Sequence, residues 1–182
     1  MIEMSLSFTS ILIGMPSAFT PTTVVGDEKK EKVFEQIFIT PLSPLKLVLF
    51  HFIALIPLMT LSIAIGYLIV ISGMIISLGN VHLLYVLRGF VLSFIFALPL
   101  CYVLFLNLML LPTKYSSLLP LFFLILPFLS MQSLYGMFST TIGFSWLITL
   151  SIIITSTVLT TIGIIETAIL KNRIVELTII SQ

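Results

Sequence analysis

Residues 84–111 read LYVLRGFVLSFIFALPLCYVLFLNLMLL, a stretch in which Arg88 is the single charged residue. A helix rises about 1.5 Å per residue, so this stretch is long enough to cross the hydrocarbon core of a bilayer, about 30 Å thick. It predicts a membrane-spanning helix. Three further runs of similar character lie at about residues 45–72, 117–137 and 145–170. A more polar one lies at about residues 4–25, where Pro16 and Pro21 interrupt it.

The composition of the whole chain agrees with this reading. Of 182 residues, 59% are hydrophobic and 8% are charged, and the mean hydropathy is +1.27. A soluble fold of this size cannot bury so much apolar surface. This excludes a soluble enzyme, a disordered chain and a basic nucleic-acid-binding protein. We predict an all-α integral membrane protein, a single domain over residues 1–182 with about five spans and a short amphipathic helix.

The basic residues predict how these spans are oriented. Five spans place the loops on alternating sides, and cytoplasmic loops carry an excess of Lys and Arg. With residues 26–44 in the cytoplasm, only Arg88 falls outside. Seven basic residues then fall inside: Lys29, Lys30, Lys32, Lys46, Lys114, Lys171 and Arg173. We expect a plasma membrane protein with its N-terminus outside and its C-terminus in the cytoplasm.

The cytoplasmic segment at residues 26–44 is predicted to contain a helix from about 28 to 39. Val33, Phe34, Ile37 and Phe38 share one face of it, which makes the helix amphipathic. Asp27 is expected as its N-cap, and Pro41 ends it. From spacing alone, such a helix could equally lie in the lipid headgroup region.

The residues of this segment resemble the signature of ABC-2 type transporter permeases, the membrane subunits of ATP-driven exporters. The core Glu-x-x-x-x-Thr-Pro-Leu-Ser is intact. Val33 departs from the family's usual Thr, and Lys32 stands in place of the commoner Gly. The residues that fit the pattern are Glu28, Lys29, Lys32, Glu35, Ile37, Phe38, Thr40, Pro41, Leu42 and Ser43.

The resemblance implies that this segment, with Phe34 on its apolar face, is a coupling helix that docks on a cytoplasmic ABC ATPase subunit. It also implies a second permease subunit, as a homodimer or heterodimer. The family has six spans, with this segment between the second and third. We therefore expect either a start further upstream or a shortened variant. By the same resemblance, the spans at 4–25 and 117–137 line the substrate path.

The chain has no sequence for binding a nucleotide itself. A Gly-x-x-x-x-Gly-Lys-Ser/Thr phosphate-binding loop is missing from the sequence. We therefore expect no enzyme activity and no cofactor on this chain, with ATP and Mg²⁺ held by the partner ATPase. One cysteine, Cys101, and two distant histidines, His51 and His82, predict no metal site. The expected partners are the two protein subunits and membrane lipid, without nucleic acid.

Several polar residues within the spans have two interpretations. Small residues along the first span, including Ser10, Gly14 and Ser17, indicate helix packing or one wall of the path, and we expect Gly14 at a subunit contact. A comparable stripe in the last span comprises Thr149, Ser156, Thr160, Gly163 and Thr167. Gln132 lies at the outer end of the 117–137 span and is a second path candidate.

Ionisable groups in the spans form a separate set. An acid inside a membrane is a functional-site hypothesis by default, and Glu166 is one. Its plainer interpretation is that it reaches the interface near Lys171. His51 could relay protons, Asn107 could bond to a neighbouring helix, and Arg88 is expected to extend to the interface.

Two rival functions stay open. The first is a non-transporting membrane protein, such as an assembly or immunity factor that keeps the docking helix. The second is a membrane enzyme, for which the sequence offers no paired carboxylates and no nucleophile beside a base. An adjacent ATPase gene would favour the permease over both.

Overall fold

The computed structural model describes residues 2–30, 44–78, 83–110, 125, 129–130, 132–135 and 143–180. Nearly all of these residues are helical, and no strand occurs among them. The long helices are α1 (Ile2–Lys30), α2 (Pro44–Leu78), α3 (Leu83–Leu110) and α4 (Phe144–Ile180). The predicted all-α class is confirmed for this part of the chain.

Three of these helices are long and apolar enough to cross a membrane. The apolar stretches run over Val48–Ile76 in α2, Leu83–Met109 in α3 and Trp146–Leu170 in α4. They coincide with the predicted spans at 45–72, 84–111 and 145–170. Helix α1 covers the predicted span at 4–25 but is not one of the three, and it carries Pro16 and Pro21 inside it. Most of the predicted 117–137 span lies outside the described residues.

Two predicted helix boundaries are wrong. Helix α2 continues past the predicted end of the span at about residue 72 and through Gly73 to Leu78. Ser72 fits in the helix because its hydroxyl donates to the carbonyl of Leu68 at 2.7 Å, within the helix. Helix α1 continues through Asp27 to Lys30, so Asp27 is not the N-cap of a separate helix.

Contacts between the helices fix their directions. Tyr67 of α2 meets Phe90 of α3, and Phe52 of α2 meets Tyr102 of α3, so α2 and α3 are antiparallel. On α1, Ser10 bonds to Ser93 of α3 and Gly14 lies between Ser93 and Phe96, so α1 runs the same way as α3. The C-termini of α1 and α3 and the N-terminus of α2 therefore lie on the same side of the bundle, which we call the basic end. The opposite end is the far end.

Helix α4 runs in the same direction as α3. The bonded pairs are Arg88 with Thr149, Ile95 with Ser156 and Asn107 with Glu166, and the numbers rise together on both helices. Leu110 is therefore at the basic end and Phe144 at the far end. The connection between these two residues therefore starts at the basic end and finishes at the far end.

Helix α3 is the centre of the bundle. It packs against each of the other three long helices and has the most buried apolar stretch of the three candidate spans. Its fully covered side chains include Phe96, Leu100, Phe105 and Leu106. Exposed side chains on α2 and α4 are mostly large aliphatic groups, for example Ile65 and Leu68 on α2 and Ile164 on α4. This is the surface expected of helices that face lipid.

Candidate functional site

The predicted coupling segment lies between α1 and α2 at the basic end. Glu28 and Lys29 belong to the last turn of α1, and their side chains are not among those described. The remaining predicted docking residues lie outside the described residues: Lys32, Phe34, Glu35, Ile37, Phe38, Thr40 and Pro41. Lys30 and Pro44, the described residues on either side of the remaining part of this segment, thus lie on adjacent antiparallel helices.

The small residues of α1 lie against α3 of the same chain. Ser10 and Ser17 are buried. A Cβ atom added at Gly14 would lie 3.1 Å from both the Ser93 carbonyl oxygen and the Phe96 ring, so glycine permits the close approach of these two helices. Within this chain Gly14 packs against α3, and its expected place at a subunit contact stays a prediction.

A buried polar cluster joins α1, α2 and α3, and the sequence analysis missed it. The hydroxyl of Tyr67 lies 3.2 Å from Ser10 Oγ and 3.0 Å from Ser93 Oγ, and Ser93 Oγ donates to the Ser10 carbonyl at 2.9 Å. Three helices are thereby tied at one point. The only signal in the sequence was a tyrosine in the middle of an apolar run.

A different stripe of α1 is exposed. It follows one side of the helix and is more polar than the exposed faces of α2 and α4. The hydroxyls of Thr20 and Thr23 bond to carbonyls of α1 itself. Because proline lacks a backbone N–H, Pro16 cannot donate the helical hydrogen bond to the carbonyl of the residue four positions before it. The stripe comprises Leu12, Pro16, Thr20, Thr23, Val24 and Asp27.

The stripe of small and polar residues in α4 faces α3. Ser156 Oγ donates to the carbonyl of Ile95 at 2.9 Å, and the hydroxyls of Thr167 and Tyr102 lie 2.7 Å apart. A Cβ atom at Gly163 would lie 2.8 Å from the Tyr102 ring. Thr149, Ser156, Gly163 and Thr167 therefore contact α3, whereas Thr160 is exposed and bonds to Ser156 O.

Glu166 meets Asn107 near the basic end of this contact. Asn107 Nδ2 donates to Glu166 Oε1 at 2.7 Å and to the Val103 carbonyl at 2.9 Å. The carboxyl group is therefore turned onto α3. His51 lies at the same end of the bundle, where its ring stacks on Phe105 at 5.8 Å between centroids.

Arg88 lies near the far end, between α3 and α4. Its Nη2 donates to Thr149 Oγ1 at 2.9 Å, and its guanidinium carbon lies 5.0 Å from the centre of the Trp146 ring. Cation–π contacts of this kind hold an arginine against an aromatic ring. Trp146 is exposed, as expected of an aromatic residue at a membrane interface.

The path candidate Gln132 is exposed and lies in a short helical piece over residues 132–135. Just before it, Ser130 Oγ lies 2.6 Å from Ser151 Oγ and 3.1 Å from Thr155 Oγ1. Ser130 therefore contacts α4 at Ser151 and Thr155, in the first half of that helix.

Among the described residues, no three His, Cys, Asp or Glu side chains are grouped to hold a metal ion. No protein-family model, curated protein or solved structure matches this chain. The signature in residues 26–44 and the contacts between the helices are therefore the features that bear on function.

Proposed function

We propose that this chain is the permease subunit of an ABC-2 type exporter, driven by a separate ABC ATPase. The observation that carries the proposal is the signature at Glu35 and Thr40–Ser43. It lies between α1 and α2, which are adjacent and antiparallel. A protein that docks there contacts the short connection between two packed helices, so its movements act on both.

The directions of the helices support the predicted five crossings. Helices α1, α3 and α4 run one way and α2 runs the other. With a return between Leu110 and Phe144, the chain passes along the bundle five times. The seven basic residues then fall at the basic end or in the segments that leave it, and Arg88 falls near the far end. The positive-inside rule assigns the basic end to the cytoplasm.

The exposed stripe of α1 is the best candidate for a wall of the substrate path. Ser10 and Gly14 are covered by α3 and Ser17 is buried, so all three are unavailable to a substrate. Thr20 and Thr23 are exposed on a helix that also carries two prolines. Polar side chains and proline-interrupted backbone are tolerated at membrane depth where they border water or protein. A second permease subunit across this stripe would enclose such a path.

Two substitutions in the docking segment test the proposal. Glu35→Lys and Phe38→Asp are expected to leave insertion unchanged but to abolish co-purification of the ATPase and substrate-stimulated ATP hydrolysis. Loss of a central interface residue typically costs about 2 kcal/mol or more, roughly thirtyfold in affinity. Glu176→Lys makes the same charge change outside the signature and serves as the control.

The outcomes separate the proposal from its rivals. If both substitutions leave ATPase binding intact, the segment is not the coupling element and the permease function loses its main support. The wild-type chain could bind the ATPase, lose this binding in both variants, and still support no transport in vesicles. That result would favour the non-transporting assembly or immunity protein.

A further inference from the structure

Glu166 is an acid held inside the apolar stretch of α4. The stretch runs over Trp146–Leu170, and Asn107 Nδ2 donates to Glu166 Oε1 at 2.7 Å. Asn107 is itself buried and anchored to the Val103 carbonyl. The amide therefore fixes the carboxyl group against α3 and keeps it from extending along the surface of α4.

The second carboxyl oxygen, Glu166 Oε2, is enclosed and has no hydrogen-bond partner among the described residues. An ionised carboxylate here would have a single donor, the Asn107 amide. Charged groups in apolar surroundings require a paired charge or several donors. A neutral carboxyl group avoids the larger part of that cost, because it has no net charge to compensate.

The described charged and titratable side chains of the surrounding helices do not supply the missing partner. Among the described residues, the side chain of Glu166 forms no hydrogen bond or ion pair other than that with Asn107. Tyr102 is bonded to Thr167. The other such side chains described toward the basic end of the neighbouring helices are Asp27 on α1, Lys46 and His51 on α2 and Cys101 on α3. On α4 itself, the side chain of Lys171 is not among those described.

The covering of Glu166 Oε2 limits what can bind to it. Because Oε2 is covered, an ammonium group or a metal ion could reach it only by displacing its neighbours, whereas a proton needs no such movement. We propose that Glu166 is a proton-binding site, holding a proton in the closed α3–α4 contact and releasing it when this end opens to water. The proton is exchanged with the aqueous phase at the basic end, and the carboxyl changes between neutral and singly negative.

This proposal does not depend on the transport function. It is tested by infrared spectroscopy of the full chain in lipid vesicles, through the C=O stretching band of a protonated carboxyl group. We expect the wild type to show this band near neutral pH and to lose it reversibly as the pH is raised to about 10, where an accessible carboxyl is fully ionised. Glu166→Gln should lack the band, and Asp27→Asn, at an exposed acid, should keep it.

Glu166→Gln keeps the shape of the side chain and the acceptor for Asn107, so it is expected to fold, and its gel-filtration profile checks this. An ion pair with Lys171 would keep Glu166 ionised, and the wild type would then lack the band. Absence of the band in the wild type therefore overturns the proposal. Persistence of the band in Glu166→Gln does so too. A band that does not respond to pH shows a permanently neutral acid and overturns reversible binding.

Discussion

Ser156 Oγ donates a hydrogen bond to the carbonyl oxygen of Ile95, at 2.9 Å. In a regular helix this carbonyl would accept from the N–H of residue 99, but residue 99 is proline and has none. The hydroxyl on α4 therefore occupies the acceptor that the proline in α3 leaves free. In a membrane, where water cannot take that place, a neighbouring helix is the natural source of the donor.

Removal of this hydroxyl should weaken the α3–α4 contact. We expect Ser156→Ala to lower stability by about 0.6 to 1.7 kcal/mol, the range measured for bonds between membrane helices. Thermal unfolding in detergent or lipid measures the change. Thr160→Ala is the matched control, since its hydroxyl is exposed and bonds only within α4. Equal losses in both variants would contradict this assignment.

Close packing at Gly163 gives a second expectation. An added methyl group would lie 2.8 Å from the Tyr102 ring, which must then move and strain its bond to Thr167. We expect Gly163→Ala to destabilise the protein by about 1–3 kcal/mol. Gly73→Ala is the control, because open space surrounds Gly73 and alanine favours a helix by about 0.5–1 kcal/mol. If Gly163→Ala leaves the stability unchanged, α3 and α4 are packed less tightly at this position than the 2.8 Å distance indicates.

The exposed stripe of α1 can be probed from the water phase. If it borders an aqueous path, cysteines placed at Thr20 and Thr23 should react with a water-soluble maleimide in intact membranes. A cysteine at the buried Ser17 should not, and one at Ile65, exposed on α2, should be shielded by lipid. The wild type, with its buried Cys101, gives the background. If the cysteines at Thr20 and Ile65 react equally slowly, the exposed stripe of α1 does not border an aqueous path.

Labelling from each side of the membrane tests the orientation. Lys30 is at the basic end, and Lys114 and Asn80 lie outside the described residues. Since α2 and α3 are antiparallel, Leu78 and Leu83, which flank Asn80 in the sequence, lie at the far end. Cysteines at Lys30 and Lys114 should therefore be reached from the cytoplasm only, and one at Asn80 from outside only. Cytoplasmic labelling of the Asn80 variant would overturn the five-crossing arrangement.

The spans could be predicted where hydrophobicity alone decides the structure. The apolar run at 84–111 matches α3 within one residue at each end, because a long stretch with a single charged residue has few alternatives to a helix in a membrane. The predicted end of the second span at about residue 72 was wrong. The hydroxyl of Ser72 bonds to the carbonyl of Leu68 within the same helix, so Ser72 does not end it, and the apolar sequence continues to Leu78.

The partners of the polar residues could not be predicted from one sequence. The stripe in α4 was recognised as a packing surface by its spacing, but that Ser156 meets Ile95 depends on which helix lies beside it. Tyr67 shows the same limit more strongly. Its two serine partners come from two other helices, 57 and 26 residues away in the chain, and nothing local to Tyr67 indicates either.

The contacts between α3 and α4 recur at a fixed interval. Arg88, Ile95 and Tyr102 are seven residues apart, and so are their counterparts Thr149, Ser156 and Gly163. A heptad repeat between parallel helices gives a left-handed supercoil with one defined register. Slippage by one residue would turn the contacting face by about 100° and break every pair at once. Over the length of these three pairs the two helices should therefore move as one rigid unit, which leaves the basic end beyond Tyr102 and the tilting of α1 and α2 as the softer motions.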